Sequence, residues 1–238
     1  MDLAQIIASS GSYLMFAFFP PIAWLLIYMR EDKHPEPSRV IILTFIGGIA
    51  AAAVALAAER ALLFNIDPQK QFLIFFGAVA LIEEYVKYLS VKLLVLNRPD
   101  FNEPIDAMIY MVAAALGFSA IENALFLFMQ VYDGGGLLGE NILAGAQLSA
   151  ARFIGANLLH ALASAIVGYF LARAWFHPMR KHLVAVGIIL ASILHAGFNY
   201  LIIVKDIVPA GIAYIAGLLG LAIVFVLIDF HKLKKENP

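Results

Sequence analysis

FLIFFGAVALIEEYVKYLSVKLLVL, residues Phe72 to Leu96, is a run of 25 residues in which only Glu83, Glu84, Lys87 and Lys92 carry charge. Its length suits a helix crossing ~30 Å of hydrocarbon at ~1.5 Å per residue. Its apolar residues do not alternate with period two, which argues against a strand. Three of the charges fall in the middle of the run. Ionisable groups inside a span are costly, and they mark functional sites more often than structural ones. The segment therefore points to an all-α membrane protein with a polar site at membrane depth.

The rest of the chain agrees. Six further apolar stretches surround this one, at about Ser12–Met29, Val40–Leu63, Ile105–Met129, Phe153–Phe176, Leu183–Val204 and Val208–Ile228, giving a polytopic protein of about seven transmembrane helices. The opening residues lack the basic patch of a cleaved signal peptide, so the first run is expected to be retained as a span. Of the 238 residues 63% are hydrophobic and 14% charged, and the mean hydropathy is +0.88. A soluble domain is about half apolar and a quarter charged. The absence of cysteine excludes disulfides, thiolate metal sites and a Cys nucleophile. No basic face interleaved with aromatics appears, so nucleic-acid binding is set aside. One integral membrane domain over 1–238 is expected, with a catalytic core at about 72–204. The longest linker, around Tyr132–Ala150, is Gly-rich.

Basic residues follow the loops alternately. Arg30, Lys33 and Arg39 come after the first run, Lys92 and Arg98 after the third, Arg173, Arg180 and Lys181 after the fifth, and Lys232, Lys234 and Lys235 in the tail. The other side has only Arg60, Lys70, Arg152 and Lys205. The positive-inside rule then puts the N-terminus outside and the C-terminus in the cytoplasm.

Depth organises the polar residues. Counted from the outer helix ends at ~1.5 Å per residue, Glu83 lies ~16 Å down, His195 ~13 Å, Glu122 and His160 ~10 Å, and Asn199 ~7 Å. Neighbouring helices run in opposite directions, so sequence spacing does not force this agreement. Four helices can meet around one water-accessible cavity in the outer half. Glu83 and Lys87 share a helix face and can pair, as can His195 and Asn199. Glu84 lies ~100° round from Glu83 and need not face the same cavity. Asp106 reads as a cap of the fourth helix. Arg152 reads as an interfacial residue that snorkels. The small-residue run Gly47–Ala58 reads as a close helix contact.

The set is carboxylate, imidazole and amide, supported by Lys87 and Asn123. No Ser nucleophile motif is evident, and no pair of Asp residues lies at matched depth. A carboxylate can take a proton from water, an imidazole can orient that water, and an amide or imidazole can donate to the oxyanion. Metal-free hydrolysis of an amide by activated water fits, with no cofactor. Glu83, Glu122, His160 and His195 could also hold a Zn²⁺ ion. No HExxH motif supports that, so the glutamate route is favoured.

These motifs resemble the PrsW family of intramembrane proteases, relatives of the CAAX prenyl-protease and Abi superfamily. The matching pieces run in order: Glu36 and Pro37 in a His-Pro-Glu-Pro loop, then EExxK at Glu83, Glu84 and Lys87. Next come Asp106 with Tyr110, GFxxxEN at Gly117, Phe118, Glu122 and Asn123, the lone His160, and HxxxN at His195 and Asn199. Ala107 departs from the family's usual Gly. The resemblance implies regulated proteolysis of a single-pass membrane protein, such as an anti-sigma factor, near the extracytoplasmic side of the lipid bilayer. It implies that Glu83 is the water-activating base and that His195 orients the water. In the CAAX relatives a His stands where this chain has Glu122, so Asn199 and His160 are the candidates for the oxyanion hole.

Two other functions use similar residues. A proton- or cation-coupled transporter also buries Glu, His and Lys, but no repeat or matched pair of interrupted helices appears. A non-catalytic membrane scaffold would not need the complete Glu, His and Asn set. Neither substrate identity nor oligomeric state is legible in the residues.

Overall fold

In the computed structural model each apolar run closes its own backbone hydrogen bonds as a helix, as a lipid environment requires. Residues 3–30, 34–133, 142–175 and 180–236 are described. The elements are α1 (Leu3–Met29), α2 (Ser38–Leu62), α3 (Phe72–Leu94), α4 (Asp106–Asp133), α5 (Ile142–Ile154), α6 (Ala156–Trp175), α7 (Arg180–Val204) and α8 (Gly211–Glu236). No strand occurs among the described residues. Six stretches are long and apolar enough to cross a membrane, with α5 and α6 counted as one. At 23 residues α3 matches them in length and differs in its buried charges.

One element differs from the sequence reading. The fifth run was expected to begin at Phe153, after a Gly-rich linker. The last part of that linker is instead the 13-residue helix α5, separated from α6 by Gly155. Ser149 anchors α5 by donating to the Phe16 carbonyl at 2.9 Å. Trp24 donates to the Phe153 carbonyl at 2.7 Å and stacks on its ring. The central glycines of the linker, within 134–141, lie outside the described residues.

The axis of the bundle is α4. Every residue from Pro104 to Ala120 is buried, as expected of a helix that is apolar all round. It packs on α1, α2, α3 and α6, and α3 in turn packs on α2 and α7. Glycine permits the closest crossing, between α2 and α4. A Cβ on Gly48 would stand 1.9 Å from the Ala114 carbonyl oxygen, and one on Gly117 would stand 1.9 Å from that of Phe45. Backbone atoms cannot yield as a side chain can, so both positions need the missing side chain. Apolar residues such as Leu14, Phe19, Leu221 and Leu227 remain exposed on α1 and α8, as a lipid-facing surface requires.

Asp106 does not cap α4 in the expected manner. Its carboxylate points back and accepts from the Asn102 and Glu103 amides at 2.9 and 2.7 Å. It thus ties the α3–α4 connection to the helix start. One turn on, Tyr110 donates to Glu36, and His34 lies 2.9 Å from Glu103. The His-Pro-Glu-Pro loop is held against this end of α4 by these contacts.

Candidate active site

The face of α3 that buries Val79, Ala80 and Val91 also carries Glu83, Glu84 and Lys87. Both carboxylates therefore reach one interior, although they are adjacent in sequence. Glu83 is 4% exposed, and Glu84 and Lys87 are 0% exposed. Such charges persist in an interior only when they are paired and hydrogen-bonded.

Glu84 is fully engaged. Its Oε1 accepts from Lys87 Nζ at 2.8 Å and from His195 Nδ1 at 2.9 Å. Its Oε2 accepts from Ser164 Oγ at 3.1 Å. The closest carboxylate partner of Lys87 is thus Glu84, while Glu83 Oε2 stands 3.6 Å from Nζ. Glu83 Oε2 is buried and has no hydrogen-bond partner. It faces His195 Nε2 across 3.7 Å. Because a carboxylate only accepts, His195 Nδ1 carries a proton for Glu84, and in the neutral imidazole that leaves a lone pair on Nε2, on the side of Glu83.

His160 is oriented by the same reasoning. Lys87 Nζ donates to its Nδ1 at 2.8 Å, leaving Nε2–H to donate to Glu122 Oε2 at 2.6 Å. The two imidazoles meet edge to face with centroids 4.9 Å apart. Phe118 packs beside His160, with ring centres 5.7 Å apart, and Lys87 Nζ stands 4.4 Å from the Phe118 ring centre.

Around Glu122 a second network closes. Arg152 Nη2 donates to Glu122 Oε2 at 3.2 Å, and Arg152 Nε donates to Asn123. The Arg152 side chain is 11% exposed and packs on Phe126 at 4.3 Å. This corrects the snorkelling role expected of it: α5 turns the guanidinium inward, toward a carboxylate. Asn123 Nδ2 donates to the Ala17 carbonyl and to Asn157 Oδ1, each at 3.0 Å. Ser119 also donates to Asn157 Oδ1, at 2.6 Å.

Glu83, Glu84, Lys87, Glu122, His160 and His195 thus converge, and Asn123 joins through Arg152. Asn199 does not join them by any hydrogen bond among the described residues; it lies one turn beyond His195, half-buried. Sequence reasoning gave Arg152 an interfacial role and passed over Ser164, Asn157 and Glu59. Glu59, on α2, is half-buried and lies one turn beyond Ala55, which packs in one cluster with Val86 and Phe118. The only sequence signal for Glu59 is a carboxylate within an apolar run, and the adjacent Arg60 masks it.

The capacity for a metal ion can be tested on the donors themselves. One ligand atom each from Glu83, His160 and His195 lies within 4.8 Å of the others. Glu83 Oε2 and His195 Nε2 are ready ligands, and Glu84 on His195 Nδ1 is the usual outer partner of a metal-bound imidazole. His160 does not fit as it stands. Both its nitrogens are engaged, one of them by an ammonium group that would repel a divalent cation. Glu122 is held in turn by His160 and Arg152.

Comparison with known proteins gives this geometry a context. Residues 36–228 match the profile described as PrsW family intramembrane metalloprotease. Proteins named Protease PrsW are similar over most of their length. The one from Geobacillus kaustophilus is 25% identical over 189 residues, covering 79% of this chain and 78% of the relative. That from Oceanobacillus iheyensis is 26% identical over 192 residues, covering 80% and 83%. That from Bacillus subtilis is 23% identical over 186 residues, covering 77% and 79%. No solved structure matches.

Proposed function

Since this chain belongs to the PrsW family of intramembrane proteases, we propose that it cleaves a membrane-anchored protein by means of water activated by Glu83. The single observation that carries this reading is the buried Glu83 Oε2, without a hydrogen bond, facing His195 Nε2 across 3.7 Å. That gap suits a bridging water. A water there donates one hydrogen to the carboxylate and one to the imidazole lone pair. Its own lone pair is then free to attack a carbonyl carbon.

The steps follow from the hydrogen bonds. Glu84 holds His195 in the tautomer that accepts from water. Glu83 takes the proton as the water attacks, and hands it to the leaving amine. Negative charge builds on the carbonyl oxygen, and the Lys87 ammonium and the Asn199 amide are the candidates to stabilise it. His160 is a weaker candidate than the sequence suggests, because its N–H is committed to Glu122. The substrate is a single-pass membrane protein, for which an anti-sigma factor is the kind implied by the family resemblance. The orientation expected from the basic loops puts the cut toward the extracytoplasmic side.

A metal-dependent reading is favoured by one observation, the clustering of Glu83, His160 and His195. An ion held by them would act as a Lewis acid toward the same water. His160, already occupied on both sides, does not fit such an ion. The test is cleavage of a single-pass substrate by the purified protein in liposomes, with and without a strong chelator, alongside metal analysis. Activity that survives chelation in metal-free protein supports the glutamate route. Activity lost and restored by Zn²⁺ overturns it in favour of the metal. No cleavage of any membrane-anchored substrate overturns the protease reading of this chain.

A further inference from the structure

We propose that a cavity where α3, α6 and α7 meet binds the headgroup of an anionic phospholipid, with the phosphate on Lys181. The cavity measures about 430 Å³, a size that suits a small bound group. Phe101, Leu171 and Val184 contribute to its apolar walls, and Tyr88, Asn97 and Lys181 are the polar residues that line it.

Helix register places the cavity at one end of the bundle. Tyr88 is six residues before Leu94, the end of α3, so it lies ~9 Å into the bundle. Leu171 is four residues before Trp175, the end of α6, and Lys181 is the second residue of α7. Asn97 and Phe101 belong to the connection between α3 and α4. The cavity therefore starts at the membrane surface, where Asn97 and Lys181 are exposed, and runs inward to the half-buried Tyr88.

Three polar groups around it are free to take a ligand. Among the described residues, neither the Tyr88 hydroxyl, the Asn97 amide nor the Lys181 ammonium has a hydrogen-bond or ion-pair partner. The carboxylates at this end are engaged elsewhere. Asp100 lies 3.4 Å from Arg98 and 3.7 Å from Arg39, and Glu103 lies 2.9 Å from His34. No carboxylate lines the cavity among the described residues, so nothing there repels an anion. Lys92, one turn on from Tyr88 along the same helix face, is exposed and adds positive potential. A lone Lys at a helix end otherwise only snorkels. Lys181 differs in sharing a cavity with a hydroxyl and an amide that also lack partners.

The apolar surroundings select a lipid rather than a soluble anion. Deeper in the span, the lipid-facing surfaces of α3 and α7 expose Leu81, Tyr85, Ile189 and Ile193. A phospholipid brings a phosphate for Lys181 and acyl chains for these surfaces in one molecule. Basic pockets between spanning helices recur as headgroup sites. The three helices that form this one also carry Glu84, His160 and His195. A bound lipid therefore braces the elements that hold the buried network.

The experiment uses the full-length protein, delipidated in detergent and titrated with phosphatidylglycerol, phosphatidylcholine or inorganic phosphate. Native mass spectrometry reads lipid retention, and the melting temperature reads its coupling to the fold. Phosphatidylglycerol should be retained about fivefold more tightly than phosphatidylcholine and should raise the melting temperature further. Lys181→Gln should bring the two lipids within about twofold of each other. Tyr88→Phe and Asn97→Ala should each weaken retention of phosphatidylglycerol by about two- to tenfold. Arg39→Gln is the control: its side chain is 79% exposed at the same end and outside the cavity, so the lipid preference should stay at the wild-type ratio. Equal losses in Lys181→Gln and Arg39→Gln would mean attraction to the whole basic surface and would overturn the site. Inorganic phosphate that stabilises as much as phosphatidylglycerol would assign the cavity to a soluble anion and overturn the lipid. An unchanged lipid preference in folded Lys181→Gln protein overturns the proposal. None of these readouts depends on cleavage, so their outcome is separate from that of the protease reading.

Discussion

His195 Nδ1 lies 2.9 Å from Glu84 Oε1, and this contact engages one of two adjacent carboxylates while Oε2 of the other has no hydrogen bond. Glu84 spends its oxygens on His195, Lys87 and Ser164. Glu83 Oε2 has no hydrogen bond, with Lys87 Nζ 3.6 Å away. In the proposed mechanism the two residues, one after the other in the chain, take different work: one organises and one reacts.

The division predicts opposite effects of two conservative substitutions on stability. Glu83→Gln removes a buried charge without a hydrogen-bond partner at Oε2, so its melting temperature should stay level or rise. Glu84→Gln strips Lys87 of its closest counter-charge and should cost about 3 kcal/mol. Its cleavage rate should fall about 10²- to 10⁴-fold, because the His195 tautomer is no longer enforced. Thermal unfolding and cleavage of both variants in the same detergent measure this directly.

Arg152 anchors α5 to the site through Glu122. Arg152→Ala should destabilise the protein by roughly 3 kcal/mol, since it leaves a carboxylate short of its cation. Combining it with Glu122→Gln should cost less than the sum of the two single changes. A double-mutant cycle on apparent unfolding free energy checks the coupling. Additive costs would mean that the two residues do not interact.

The α2–α4 crossing depends on the absence of two side chains. Gly117→Ala and Gly48→Ala each force a Cβ against a backbone oxygen at 1.9 Å, and each should destabilise by about 1–3 kcal/mol or prevent assembly. Gly77→Ala is the control. A Cβ there meets nothing within 4 Å, so the change should be neutral or stabilising by about 0.5–1 kcal/mol. Expression level and melting temperature report all three.

Lys87 stands where it would oppose a metal ion. Wild-type protein should therefore carry no stoichiometric zinc after purification in its presence. Lys87→Gln, which frees His160 Nδ1 from an ammonium donor, should bind zinc more tightly. Elemental analysis of both proteins reads the result without any activity measurement. One zinc per chain in the wild type would reverse the expectation.

Much of this was legible in the residues alone. The cost of ionisable groups in hydrocarbon exposed Glu83, Lys87, Glu122, His160 and His195, because nothing but function or pairing keeps such groups in an apolar run. The depth count brought them to one slab because helix rise is nearly constant. Arg152 was hidden because α5 is short and follows glycines, so the sequence reads there as linker. Glu59 was hidden by its place near a helix end, where charges are ordinary. The separate roles of Glu83 and Glu84 depend on which side chains meet each carboxylate. Those contacts arise from the packing of α3 against α6 and α7, which no local pattern encodes. Asp106 was recognised as a helix-end residue, but its acceptance from amides behind it, in the α3–α4 connection, depends on how that connection folds back.

The most direct measurement is the single-turnover cleavage rate of Glu83→Gln protein on a single-pass substrate in liposomes, beside the wild type and Glu84→Gln. Loss of cleavage in Glu83→Gln, with a melting temperature at or above that of the wild type and a measurable residual rate in Glu84→Gln, is the predicted result. Cleavage by folded Glu83→Gln at the wild-type rate would contradict the assignment of Glu83 as the base.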